Sequence, residues 1–213
     1  MNSEICLYIV DGAGFPLNEC LHPSFNGARM GKIARLHTLE GKIQSACAEL
    51  AFLLAARDGL SRDGKSIYYH YGWNGKPVMS RAEDGFLSLS HADWVGLCAW
   101  ASFPVGADVE AESRSLKGLE RRLRSPEDDE ADLVKLWCAK ESYVKLTGEG
   151  LSRPFPGFAA RDEQILSNEG TLLARFRTGI LHGYRWAVCA QTDFSLKMRY
   201  LSAREAMEEL GTE

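Results

Sequence analysis

Apolar residues recur every three or four positions between about Arg29 and Arg57, where Ile33, Leu36, Leu39, Ile43, Cys47, Leu50, Leu53 and Leu54 fall on one face. That spacing predicts a long helix, with a break near Gly41. A second helical stretch closes at Gly148 and Gly150, glycines placed where a helix C-terminus needs them. Within it Leu133, Trp137, Glu141 and Lys145 stand four apart and so share a face, a carboxylate and an amine lying on one stripe with a tryptophan. The charge-dense stretch from 113 to 132 precedes it. There Ser125 as N-cap, Pro126 at the first helical position and the acids that follow predict the start of the helix.

Between and beyond the helices the pattern changes to short apolar or alternating runs bounded by turns. Ile5–Val10, Ile67–Tyr71, Phe86–His91, Trp94–Trp100 and Val105–Glu110 read as strands. After a rigid Pro-rich turn at 153–158, further strands are predicted near 158–160, 171–176 and 184–190, and a short helix over 203–210. The run Tyr184–Ala190 repeats the aromatic-Val-Cys-Ala character of Trp94–Trp100, and each lies among strands that follow a helix. The expectation is an α+β protein of two similar lobes, each a long helix packed on a small antiparallel sheet. The sequence divides accordingly into 1–104 and 105–213, with no linker long enough to make them independent domains.

At 213 residues and 45% hydrophobic the chain can bury a substantial core. A formal net charge of −4 argues against a duplex nucleic-acid partner, which would call for an excess of Lys and Arg. Six scattered cysteines show neither metal-site nor C-x-x-C spacing, which points to reduced core thiols in a cytoplasmic protein. The apolar N-terminal run is short and lacks a basic leader, and no run approaches a membrane span.

Asp108 and Glu110 are two apart in a predicted strand and so face the same way. Two carboxylates on one face repel unless something positive lies between them. A hard divalent cation suits them, and Glu141 from the helix would make a third oxygen ligand. Arg29 and Lys32 open the first helix three residues apart, Gly75 and Lys76 sit in a turn, and Ser90 and His91 end a strand. These residue types suit an anion with several phosphates, held partly through metal and partly through amines, hydroxyls and close backbone approach.

Four motifs in order carry a resemblance: N-G-K-P at 74–77, S-L-S-H-A at 88–92, G-A-D-V-E at 106–110 and W-C-A-K-E-S-Y-V-K-L-T-G-E-G-L at 137–151. The chain resembles the 4′-phosphopantetheinyl transferases, specifically the monomeric, two-lobed kind that activates nonribosomal peptide and polyketide synthases, siderophore pathways among them. The resemblance implies transfer of the phosphopantetheine arm of coenzyme A to a serine of an apo acyl or peptidyl carrier protein, releasing 3′,5′-ADP. It implies two lobes related by a pseudo-twofold, with the co-substrate cleft between them. Asp108, Glu110 and Glu141 match the family's Mg²⁺ ligands, with Mn²⁺ an alternative because both favour oxygen. Arg29, Lys32, Asn74, Gly75, Lys76, Pro77, Ser90, His91, Asp108 and Lys145 match positions that hold coenzyme A, and Glu141 and Lys145 those that do chemistry. On that mapping Glu141 or a water takes the proton of the carrier serine, and Lys145 stabilises or protonates the departing phosphate.

Three departures stand out. Ala107 replaces the usual Ile or Val, and the spacer between Asp108 and Glu141 is short, which bears on carrier preference. An arginine expected around Gln44, Ser45 and Ala46 is absent, leaving Lys42 or Arg35 to substitute. A non-catalytic relative that binds coenzyme A or a carrier protein is the rival reading. An acyltransferase is disfavoured because Gly148 and Gly150 lie past a helix end, where no free N–H groups converge.

Overall fold

The computed structural model describes residues 3–60, 67–72, 75–128, 131–150 and 154–211. In chain order the elements are β1 (Glu4–Asp11), α1 (Leu17–Cys20), α2 (Gly27–Arg35), α3 (Leu39–Leu60), β2 (Tyr69–Tyr71), β3 (Pro77–Met79), β4 (Phe86–Ala92), β5 (Val95–Ala101) and β6 (Gly106–Ala111). There follow α4 (Glu120–Leu123), α5 (Leu133–Thr147), β7 (Phe158–Arg161), β8 (Gln164–Ser167), β9 (Leu172–Leu181), β10 (Tyr184–Ala190), β11 (Ser195–Ser202) and α6 (Ala203–Glu209).

The first sheet has the order β11-β1-β5-β4 and the second β6-β10-β9-β8-β7, while β2 and β3 form a separate hairpin. β1 is apolar from Ile5 to Val10 because both its faces are covered there. Cys6, Tyr8 and Val10 pack with α3, whereas Ile5, Leu7 and Ile9 join a core shared with the second sheet. Across that shared core stand Val105, Ala107 and Val109 of β6 and Trp186, Val188 and Ala190 of β10. On its other face the second sheet turns Ala187 and Cys189 toward α5. The arrangement is thus helix, sheet, sheet, helix, with α3 and α5 outside, as expected of an α+β chain that lays a helix on a sheet twice.

Two glycines set how closely helix and strand approach in each lobe. A Cβ on Gly96 of β5 would meet the Ala48 backbone nitrogen at 1.9 Å, and one on Gly106 of β6 would meet the Ser142 carbonyl oxygen at 2.0 Å. The second contact brings the strand bearing Asp108 and Glu110 hard against the helix bearing Glu141 and Lys145.

Several elements differ from the sequence reading. The long first helix breaks at 36–38 rather than at Gly41, because the Thr38 hydroxyl accepts the Gly41 N–H at 3.0 Å and starts a new helix there. The later helix starts at Asp132, whose carboxylate accepts the N–H groups of Val134 and Lys135 at 2.9 and 3.1 Å. Ser125 instead begins a turn in which Asp128 takes the Ser125 N–H, the Ala160 N–H and the buried Lys140 ammonium at 2.6–2.7 Å. The added strand β11 runs parallel to β1, so the first sheet is mixed rather than purely antiparallel. Residues from 195 onward therefore return to the first lobe, with α6 packing back on α3 through Ala203 and Ala206, and sheet membership does not follow a division at 104/105. Among the described residues no helix is long and apolar enough to cross a membrane, and all six cysteines are buried and free.

Candidate functional site

The site forms where the two sheets meet edge to edge. β4 ends the first sheet and β6 ends the second. Serine side chains stitch these edges: the Ala107 N–H donates to Ser88 Oγ at 2.9 Å and the Val109 N–H to Ser90 Oγ at 3.4 Å. Edge-strand amides that would otherwise lack partners are satisfied in this way, and the lobes are held in register beside Asp108. Ser90 Oγ in turn donates to Asp108 Oδ1 at 2.7 Å.

Period two in β6 sends Gly106, Asp108 and Glu110 toward α5 while Ala107 and Val109 enter the shared core. From α5 the Lys145 ammonium donates to Asp108 Oδ1 at 2.6 Å and to Ser90 Oγ at 2.7 Å. Asp108 Oδ2 is buried with no hydrogen-bond partner. Glu110 Oε1 accepts the Trp137 indole N–H at 3.1 Å and also pairs with Arg114, whose guanidinium lies 4.5 Å over the Trp137 ring. Glu141 is 8% exposed, and its carboxyl is raised to about 7 by burial and then by the neighbouring Asp108, against the lowering influence of Lys145 and Arg114.

The first lobe contributes the basic wall. Arg29 is 2% exposed and tied at its base: Nε donates to Glu49 and Tyr69 Oη, both at 3.1 Å, and Nη1 to Ser45 Oγ at 3.2 Å. Burial lowers the Lys32 ammonium, followed by repulsion from Arg29 and Lys145. His91 is pushed down to about 4, first by burial and then by Lys32, Lys145 and Arg29, so its ring is neutral near pH 7. Its Nδ1 lies 3.1 Å from Gln44 Oε1.

Arg29, Lys32, Gly75, Pro77, Ser90, His91, Asp108, Glu110, Glu141 and Lys145 all line one cleft of about 290 Å³ between the lobes. Lys76 lines an adjoining cavity instead, and its ammonium donates to the Leu146 carbonyl at 2.8 Å, capping the end of α5. Asn74 lies outside the described residues. The three carboxylates share the cleft, but among the described residues no three acidic, His or Cys side chains are already closed into a metal cage. Protein cations stand against two of them.

Sequence reasoning did not single out Glu49, Arg114 or the bridging role of Ser88. For Glu49 a signal existed. Ser45 and Glu49 are one turn apart in a stretch of α3 that is otherwise nearly all apolar, which marks a buried polar partner. Gln44, in the stretch around which an arginine was expected, touches His91, which lines the cleft. For Ser88 and Arg114 no local pattern points to the contact.

The family model that matches residues 104–196 is that of the 4′-phosphopantetheinyl transferase superfamily. The chain is 29% identical to the 4′-phosphopantetheinyl transferase Sfp of Bacillus subtilis over 62% of its own length and 67% of that protein's. It is 32% identical to the 4′-phosphopantetheinyl transferase psf-1 of Bacillus pumilus over 52% of the chain and 51% of the relative. With HetI of Nostoc, also a 4′-phosphopantetheinyl transferase, it shares 31% identity over 41% of the chain and 44% of the relative. The aligned parts thus span from 44% to 67% of these relatives. The motifs at 106–110 and 137–151 lie inside the matched region and the α+β fold sets them face to face, so over residues 104–196 the chain is similar to the 4′-phosphopantetheinyl transferase superfamily.

Proposed function

We propose that this protein transfers the 4′-phosphopantetheine arm of coenzyme A to a serine hydroxyl of an apo acyl or peptidyl carrier protein and releases 3′,5′-ADP. One observation carries the reading: a single cleft gathers three carboxylates and Lys145 from the second lobe opposite Arg29, Lys32 and His91 from the first. That charge layout suits a metal-bound diphosphate extended by a further phosphate.

Asp108, Glu110 and Glu141 are the residues that would hold a divalent cation, Mg²⁺ or Mn²⁺. The donor set is hard oxygen throughout, and the buried, unpartnered Asp108 Oδ2 is the kind of atom a cation satisfies. When bound, such a cation neutralises charge that grows on the diphosphate as its bridge breaks.

The chain's own groups supply the rest. Arg29, fixed from below by Glu49, offers its remaining Nη2 edge to a phosphate, and Lys32 adds a point charge. His91, neutral, contributes a polar contact without like-charge repulsion of its neighbours. Gly75, with φ +78° and, among the described residues, nothing within 4 Å of an added Cβ, lets backbone approach the ligand. Glu141, held near neutrality, is suited to take the serine proton directly or through a water. The serine oxygen then bonds to the phosphorus bearing pantetheine, the bridging P–O bond breaks, and its oxygen leaves with 3′,5′-ADP. Lys145 is placed to stabilise that oxygen or give it a proton.

Both walls of the cleft come from one chain, which fits a monomer, and six buried thiols fit a reducing cytoplasm. The test is incubation with coenzyme A, Mg²⁺ and several apo carrier proteins, followed by intact-mass measurement with and without EDTA. Addition of one phosphopantetheine, abolished by EDTA, is expected. Coenzyme A binding with no transfer to any carrier would instead identify a non-catalytic relative.

A further inference from the structure

Resting on the reading that Asp108, Glu110 and Glu141 hold a divalent cation, we propose that Arg114 is a positioning residue acting as the ion-free site's own counter-cation. Its guanidinium holds Glu110 and must leave before metal enters, so Arg114 sets how tightly the site takes metal.

The turn after β6 makes this possible. The Arg114 N–H donates to the Ala111 carbonyl at 2.9 Å, which folds the chain back so that the side chain returns over Glu110. Glu110 Oε1 receives both Arg114 and the Trp137 indole N–H, so a cation that takes this oxygen, or both oxygens of the carboxylate, has to displace Arg114. A guanidinium does not lose its proton in proteins, so it can vacate that oxygen only by moving. The Arg114 side chain is 34% exposed and has solvent to move into. The Trp137 face, 4.5 Å below the guanidinium, gives it a seat that survives loss of the ion pair. Lys145 stands in the same relation to Asp108, but it also hydrogen-bonds Ser90 and belongs to the proposed chemistry. Arg114 has neither tie. The competition is therefore separable from turnover.

The probe is Mn²⁺ itself, titrated without coenzyme A at low ionic strength and followed by the paramagnetic resonance of free Mn²⁺. Arg114→Gln is expected to bind Mn²⁺ about two- to fivefold more tightly than wild type, the range set by a partly exposed ion pair. The gain should shrink as salt rises. Arg114→Met, which keeps an apolar stem on the Trp137 ring, should show the same gain and decides the matter if Arg114→Gln unfolds early. A purely structural Arg114 predicts loss of affinity on substitution. Equal or weaker Mn²⁺ binding by a variant whose unfolding midpoint is unchanged overturns the proposal. Absence of Mn²⁺ binding by the wild-type protein is a different result: it removes the metal reading, and the proposal with it.

Discussion

Glu141→Gln should stabilise the ion-free protein while destroying its function. The Glu141 carboxyl is buried beside Asp108, and its rise from an ordinary 4.5 to about 7 measures how strongly the folded state resists its charge. At about 1.4 kcal/mol per tenfold change in proton affinity, that rise corresponds to about 3 kcal/mol. The sign follows from linkage. Below the unfolded value near 4.5 the group is protonated in both states and its folded environment costs nothing. As pH climbs toward 7 the unfolded chain ionises and the folded one resists, so stability is lost progressively. Above 7 the full penalty is present. Gln, neutral and of the same shape, escapes it. Urea unfolding in EDTA should therefore show Glu141→Gln more stable than wild type by about 3 kcal/mol at pH 8, roughly 6–12 °C in midpoint for a chain of this size. The gap should fall below about 1 kcal/mol at pH 5. Saturating Mg²⁺ at pH 8 should close it, because only wild type gains from the ion. A variant no more stable than wild type at pH 8 would refute the electrostatic description of the site.

Lys145→Ala should reduce kcat by about 10²- to 10³-fold, as loss of a group that stabilises developing charge does, with coenzyme A affinity changed far less. Equal losses in turnover and in calorimetrically measured binding would count against its role at the departing phosphate. Arg29→Ala should lower stability by about 3–5 kcal/mol in denaturant unfolding, because it leaves Glu49 buried without its partner. An unfolding midpoint like wild type would show that Arg29 is held less firmly than its contacts indicate. Gly106→Ala would force β6 off the Ser142 carbonyl, and a loss of at least about 1–3 kcal/mol together with weakened Mn²⁺ binding is expected.

Local pattern revealed what is locally encoded. β1, β5, β6 and β10 were legible because each is a short apolar run between turns, and the common face of Asp108 and Glu110 follows from a period of two. β11 was not read as a strand. Ser195–Ser202 is rich in polar and exposed side chains at a sheet edge, and its partner β1 lies at the opposite end of the chain. Gly41 is the breaker that the sequence pattern offers, whereas the folded chain breaks at 36–38, where Thr38 caps the new helix. Ser125 and Pro126 gave a sound helix-start signal that lost to tertiary structure, since Asp128 is committed to the buried Lys140 and to the Ala160 amide of β7. The carboxylates and Lys145 of the site were visible from motif and spacing. Their support was not: Glu49 beneath Arg29, Ser88 between the sheets and Arg114 on Glu110 are contacts that only the folded chain creates.

Crystals grown with coenzyme A and soaked in Mn²⁺ give the most direct test of the central claim, through an anomalous difference map. One peak coordinated by Asp108, Glu110 and Glu141, facing the diphosphate, is expected, with Arg114 drawn away from Glu110. No peak at those carboxylates, or a peak bound through other residues with the diphosphate elsewhere, would contradict it.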